Sequence, residues 1–162
     1  GNPMRIRSLI LPLLLVSPFA AAGNLECNRE TPLEYVPTTY RCVYHNGSLA
    51  QAYAAMRTNR FEDGRLRLDF PGMPRRLPAN NFQYRGNVRF DLHGNGRSER
   101  YLAQTSIKYS SPDSVMVKYL YEDRNNSIYT HEALFQRKGS DVEITSELVA
   151  PACPALGNTA FR

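Results

Sequence analysis

The sequence of 162 residues has no tryptophan, only three histidines and three cysteines, and a single long apolar run. No two cysteines and no two histidines have the close spacing of zinc ligands, which argues against a metal site of the zinc-finger type. No G-x-S-x-G segment presents a serine nucleophile, and no cofactor motif is present. We therefore expect a binding protein without a cofactor, not an enzyme; a hydrolase site assembled from distant residues stays an alternative.

The apolar run from Leu9 to Ala22 has the features of an export signal. It follows Arg5 and Arg7, ends in small residues that suit cleavage before Gly23, and is shorter than the roughly 20 residues of a spanning helix. We expect no membrane anchor after cleavage and a periplasmic or secreted location. The expected organisation is a scar or artefact at 1–3, a signal peptide at 4–22 and a single β-rich domain at 23–162.

Positive charge is concentrated in one part of the chain, since residues 57–100 contain ten arginines and five acids. Loss of the signal, with its two arginines and no acid, would lower the formal net charge from +5 to +3. That charge is small for a nucleic-acid-binding protein, so we expect no nucleic-acid partner. The arginine-rich part is either the solvent face of amphipathic strands or a surface that attracts an acidic partner.

All three cysteines, Cys27, Cys42 and Cys153, lie in the expected mature domain. In an oxidising compartment two of them are expected to pair, but the sequence leaves the choice open. We favour Cys42–Cys153, because this bond would tie an early strand to the proline-containing tail. It would also close a long loop, worth about 4 kcal/mol in the chain-entropy model.

From residue 82 onward, apolar and polar residues alternate as in half-buried β-strands. Tyr84, Val88 and Phe90 share one parity in the first of these strands, while Arg85 and Arg89 share the other. Turn sequences separate the expected strands at 93–96, 110–114, 123–126 and 138–140. Five consecutive antiparallel strands are therefore expected between 82 and 149. The ten tyrosines are expected to fill half-buried strand positions, with their hydroxyls in water.

Before residue 82, the segments 39–44 and 65–70 also have strand patterns. The segment 48–57 is alanine-rich and fits either a short helix or a strand. Strands in succession with one apolar parity predict an all-β, single-domain antiparallel meander. We expect it to form an up-and-down barrel or a strongly curved sheet, with a possible short helix near 48–57.

The turn after the residue-82 strand partly resembles a calcium loop, with Asp91, Asn95 and Glu99 as the candidate oxygen ligands. His93 and Arg97 stand where further oxygen donors would be needed. A tight hairpin that uses glycine and asparagine for positive φ is the favoured interpretation.

The segment 71–81 contains three prolines and is the strongest candidate for a partner-binding loop. Proline restrains the backbone, so such a loop loses little entropy on docking. Its candidate contact residues are Met73, Arg75, Arg76 and Leu77, two apolar side chains and two that can bind carboxylates bidentately. The alternative is an ordinary connection between two strands.

These features favour an inhibitor or immunity-type protein that blocks a secreted or envelope enzyme, such as a cell-wall hydrolase. Tyr40-Arg41-Cys42 and the late Cys153 resemble the periplasmic inhibitors of c-type lysozyme, but the likeness covers only these residues and assigns no family. The partner is expected to be another protein outside the cytoplasm. A β-barrel carrier that encloses a small ligand is the main alternative.

Overall fold

The computed structural model describes residues 24–31, 38–60, 68–92 and 94–149. Within these residues the chain forms seven strands and one helix. The strands are β1 (Leu25–Arg29), β2 (Thr38–Tyr44), β3 (Phe82–Phe90), β4 (Glu99–Ser111), β5 (Ser114–Glu122), β6 (Ile128–Lys138) and β7 (Asp141–Val149), and the helix α1 is Leu49–Thr58. The expected signal at 4–22 lies outside the described residues.

All seven strands belong to one antiparallel sheet of order β1-β2-β7-β6-β5-β4-β3. The strands β3 to β7 follow one another as a meander, as predicted. The earlier strand β2 then pairs with β7, from Thr38 opposite Leu148 to Tyr44 opposite Val142. The described sheet is not closed, because β1 and β3 stand at opposite edges. The all-β meander is thus confirmed in its open form.

The predicted alternation holds along the meander. Side chains of β3 alternate between half-buried and exposed from Phe82 to Phe90. In β5 the buried positions are Val115, Val117, Tyr119 and Tyr121. One face of the sheet therefore carries the core. Of the segment 65–70, residues 68–70 do not form a strand, and 65–67 lie outside the described residues.

The open question at 48–57 is answered in favour of a helix. Ser48 caps α1, since its hydroxyl accepts from the backbone N–H of Gln51 while the Gln51 side chain accepts from the backbone N–H of Ser48. The face of α1 that carries Ala52, Tyr53 and Met56 is fully buried. Tyr53 meets the ring of Phe135 of β6 at a centroid distance of 6.2 Å. Burial of this face holds a helix that would be marginal alone.

The disulfide joins Cys27 of β1 to Cys42 of β2, so the preference for Cys42–Cys153 was wrong. The two cysteines stand directly opposite each other in the β1–β2 register, with their Cα atoms 4.0 Å apart. Strand pairing therefore brings these two thiols together without any contribution from the tail. Cys153 lies outside the described residues. A disulfide of this kind indicates an oxidising, extracytoplasmic environment.

Candidate functional site

After α1 the chain returns to β3 through residues 71–81, here called the strap. Three tyrosine hydroxyls, from the helix and from the face of the sheet that carries the core, donate hydrogen bonds to its backbone. Tyr119 of β5 donates to the carbonyl of Pro71 at 2.7 Å, Tyr53 of α1 to that of Pro74 at 2.6 Å, and Tyr109 of β4 to that of Pro78. Burial raises the pKa of all three hydroxyls, so they stay protonated and able to donate.

Arg57 adds a second link between α1 and the strap. It lies one helical turn after Tyr53, and its guanidinium donates to the same Pro74 carbonyl at 2.8 Å. The other end of the guanidinium meets the carboxylate of Asp69 at 2.7 Å. With only 18% of its side chain exposed, Arg57 serves the scaffold more than the surface.

The start of the strap is packed closely against the sheet. Phe70, the residue just before the strap, stacks on the ring of Tyr119 with centroids 4.6 Å apart. Gly72 has a φ of +90°, and a Cβ atom there would lie 2.8 Å from the ring of Tyr84. Only glycine therefore fits this position without displacing a side chain.

The four predicted contact residues of the strap divide into two kinds. Arg75 and Arg76 are exposed and form no ion pair with a described residue. Leu77 is half-buried and packs against the core. Met73 is 8% exposed and belongs to the core cluster, so its assignment as a surface contact needs correction. Met73 and Leu77 therefore pack the strap against the core, and Arg75 and Arg76 are the two that remain exposed on it.

The strap contributes to two surface depressions. One, of about 720 Å³, is lined by Arg75 and Asp69, by the end of α1 with Arg57, and by Arg60 just after the helix. The other, of about 1000 Å³, lies between the start of α1, strap residues 77–81 and the β4–β5 turn. Both depressions border the strap, and the first also borders Arg75. A partner's side chains could therefore enter beside the strap.

Of the eight described arginines of residues 57–100, Arg97 lies in the β3–β4 turn and the other seven occupy two separate surfaces. Arg57, Arg60, Arg75 and Arg76 lie on the helix and strap side. Arg85, Arg89 and Arg100 lie on the opposite, solvent-facing side of the sheet, here called the outer face. Arg65 and Arg67 are outside the described residues. Strand alternation accounts for the second group. In the first group, the exposed Arg75 and Arg76 mark the candidate binding surface.

The candidate calcium ligands have turn-forming roles. The Asp91 carboxylate accepts from the backbone N–H groups of Asn95 and Gly96, and the Asn95 side chain accepts from that of Arg97 at 3.0 Å. Glu99 is exposed and pairs with Phe90 at the start of β4. In the described part of the chain, no three His, Cys, Asp or Glu side chains are grouped to hold a metal ion. The hairpin interpretation fits this geometry.

One serine and one histidine meet within hydrogen-bond distance, Ser146 and His131, at 2.8 Å. Both are 1% exposed, and the ring of Phe70 packs against the imidazole. A substrate could not reach this pair without disruption of the core. The half-exposed His45 lies between the carboxylates of Glu26 and Asp141, at 3.4 and 3.5 Å. His93 lies outside the described residues.

Sequence reasoning missed the tyrosine anchors. Tyr53, Tyr109 and Tyr119 do bury their rings as expected for amphipathic strand and helix positions. Their hydroxyls, however, donate to strap carbonyls. The sequence contains only a weak indication of these bonds. Three prolines, whose carbonyls can accept hydrogen bonds, lie in one loop of a chain that is rich in tyrosine.

Comparison with protein-family models, curated proteins and solved structures found no match to this chain, so its function is inferred from the described surfaces alone. Among the described helices, none is long and apolar enough to cross a membrane.

Proposed function

We propose that this protein is an exported binding protein of the inhibitor or immunity type, which blocks a secreted or envelope enzyme through its strap. The observation that carries the proposal is the strap's construction. Hydroxyls of the buried Tyr53 and Tyr119 and the half-buried Tyr109 donate to its backbone, while Arg75 and Arg76 remain exposed and without an ion pair among the described residues.

A loop held in this way suits tight binding. Ordering a flexible interface costs roughly 0.5–1.5 kcal/mol for each side chain that must be immobilised, in addition to the cost of ordering the loop. The strap backbone is already ordered when the protein folds, because three prolines and three tyrosine hydrogen bonds restrain it. Only the two arginine side chains then remain to be ordered on docking.

The exposed chemistry of the strap favours an acidic partner. A guanidinium binds a carboxylate through two parallel hydrogen bonds, which makes arginine a strong residue for this recognition. Enzymes that cut cell-wall glycans use a pair of Asp or Glu residues in an open cleft. Arg75 and Arg76 at the tip of a stiff strap could enter such a cleft and bind those carboxylates.

The compartment supports the same proposal. The Cys27–Cys42 disulfide suits a protein that works outside the cytoplasm, where such enzymes act. A periplasmic or secreted location, reached through the expected signal at 4–22, is part of the proposal. A barrel-type carrier is not proposed, since the described sheet is open and α1 and the strap pack on one face of it.

Inhibition assays against a panel of cell-wall glycosidases test the proposal. The wild-type chain is expected to inhibit at least one of them. Arg75→Ala combined with Arg76→Ala should raise the inhibition constant about 100-fold, because a charged hydrogen-bonded pair contributes roughly 1.5–3 kcal/mol and 1.4 kcal/mol is tenfold.

The matched control replaces Arg97 and Arg124 by alanine, two arginines that are equally exposed but lie in other turns. These changes should leave inhibition unaltered. Equal loss in both double variants, or a wild-type chain that inhibits no enzyme of the panel, would remove the strap from the proposed role.

A further inference from the structure

The outer face of the sheet carries charge of opposite sign on its two halves. Over β3, β4 and β5 its cations outnumber its acids by five to one: Arg85, Arg89, Arg100, Lys108 and Lys118 against Glu122. Over β1, β2 and β7 the ratio reverses, with Glu26, Asp141, Glu143 and Glu147 against Arg41. The central strand β6 contributes Glu132 and Lys138 and is balanced.

Two pairs of like charges stand directly opposite each other on this face, one within the basic half and one between β7 and the central strand β6. Arg89 of β3 faces Arg100 of β4, and Glu132 of β6 faces Glu147 of β7. Like charges at opposite positions of an antiparallel pair are destabilising. Glu132 is paired with Lys118 at 3.1 Å, whereas Arg89 and Arg100 form no ion pair with any described residue, so their repulsion is uncompensated within the described part of the chain.

Apolar side chains lie between the charged halves. Met116 of β5 stands opposite Leu134 of β6, and Leu120 lies two pairs further along β5. All three are half-buried on a face that water would otherwise cover. The Lys118–Glu132 ion pair lies between Met116 and Leu120, so the centre combines three apolar side chains with one ion pair that is already neutralised. A largely apolar centre with a charged rim is the usual composition of a protein interface.

The outer face is large enough for a stable interface. Seven strands about 4.8 Å apart and about nine residues long, at about 3.3 Å per residue, cover about 30 by 30 Å. This is about 900 Å², compared with about 800 Å² per partner in a standard interface.

From this arrangement we propose that two copies of the chain associate through their outer faces. A two-fold axis in the plane of the interface places the basic half of each copy on the acidic half of the other. The interface is then self-complementary, as two-fold dimers require. Because the strap lies on the opposite side of the sheet, the dimer would present two straps to solvent.

Charge reversal tests the dimer by sedimentation velocity of the full chain. One variant combines Arg85→Glu with Arg89→Glu, and the other combines Glu143→Lys with Glu147→Lys. The wild-type chain is expected to be a dimer that dissociates as salt increases, because exposed charges are screened. Each variant alone should be monomeric, because the first change cancels the positive charge of the basic half and the second cancels the negative charge of the acidic half.

The mixture of the two variants is the decisive sample. In a mixed pair one contact joins the two unaltered halves of opposite charge, and the other joins the new glutamates to the new lysines, so an equimolar mixture should form the dimer that neither variant forms alone. Arg75→Glu with Arg76→Glu in the strap should dimerise like the wild type, which separates this inference from the proposed inhibitor function. A wild-type chain that stays monomeric up to millimolar concentration would overturn the dimer. A mixture of the reversed variants that remains monomeric would also overturn it. A third contrary result is a wild-type monomer that binds heparin and loses this binding in the Arg85→Glu, Arg89→Glu variant, because the basic half would then bind a polyanion and not a second copy.

Discussion

The hydroxyl of Tyr53 donates to the carbonyl oxygen of Pro74 at 2.6 Å, and the guanidinium of Arg57 donates to the same oxygen at 2.8 Å. One strap carbonyl therefore receives two donors from successive turns of α1. Because both donors come from the same helix face, the position of the strap depends on the packing of α1 against β6. The stability of the helix and the geometry of the exposed arginines are thereby linked.

Removal of the Tyr53 hydroxyl should weaken this link without destroying it. Tyr53→Phe should lower the free energy of unfolding by about 1 kcal/mol, the usual net value of a hydrogen bond, with Arg57 still bound to Pro74. Urea denaturation measures the change. Tyr84→Phe is the matched control, because the Tyr84 hydroxyl has no hydrogen bond to a described residue and its loss should cost less than about 0.5 kcal/mol. Equal effects in the two variants would contradict the anchoring role.

Gly72 should tolerate no side chain. Gly72→Ala combines an unfavourable φ of +90° with a Cβ atom 2.8 Å from the ring of Tyr84. Gly94→Ala has a φ of +68° and no atom within 4 Å, so it carries the backbone cost alone, about 1–2 kcal/mol. Thermal unfolding should place the Gly72 variant clearly below the Gly94 variant. Similar melting temperatures would mean that Tyr84 moves aside freely.

The disulfide should be found between Cys27 and Cys42 by peptide mapping without reduction. Replacement of both cysteines by alanine should cost about 3 kcal/mol, because the bond closes a loop of 15 residues. Cys153→Ser should leave the Cys27–Cys42 peptide unchanged. A crosslinked peptide that contains Cys42 and Cys153 would contradict the observed pairing.

Stability should fall at alkaline pH. Burial, with a further contribution from the Glu99 carboxylate, raises the pKa of Tyr101 from 10.0 to about 12, and burial also raises the pKa of Tyr119. A raised folded-state pKa gives stability that is complete below the unfolded value and is lost as pH rises through the folded value. The urea midpoint should therefore decrease between pH 10.0 and about 12. Tyr101→Phe should make the decrease shallower, and an unchanged slope would contradict the assignment.

The meander was predictable because its information is local. A strand that buries one face must alternate apolar and polar residues, and β3, β4 and β5 each keep their more buried positions on a single parity. Turn residues at 110–114 and 138–140 then mark the ends of strands. The segment 48–57 stayed open because alanine and tyrosine fit either structure. Its outcome depends on the Ser48–Gln51 capping box and on burial against β6.

The disulfide and the strap could not be predicted from local pattern. Whether Cys42 meets Cys27 or Cys153 depends on the register of β1 against β2, and that register is a long-range property of the sheet. Likewise, Met73 resembles Leu77 as an apolar residue in a proline-rich loop. The packing of the strap against the core is what buries Met73, while Arg75 and Arg76 remain exposed.

The sequence by itself determined the strand class, the meander and the parity of its core, because these follow from periodicities of a few residues. The absence of a local catalytic or metal motif and the concentration of arginines at 57–100 were also evident in the sequence alone. Only the tertiary structure decided that Cys27 pairs with Cys42, that tyrosine hydroxyls hold the strap, and that the outer face divides into halves of opposite charge. Each of these depends on which strands are neighbours and in which register. That arrangement is set by the cooperative burial of one core and not by any short segment.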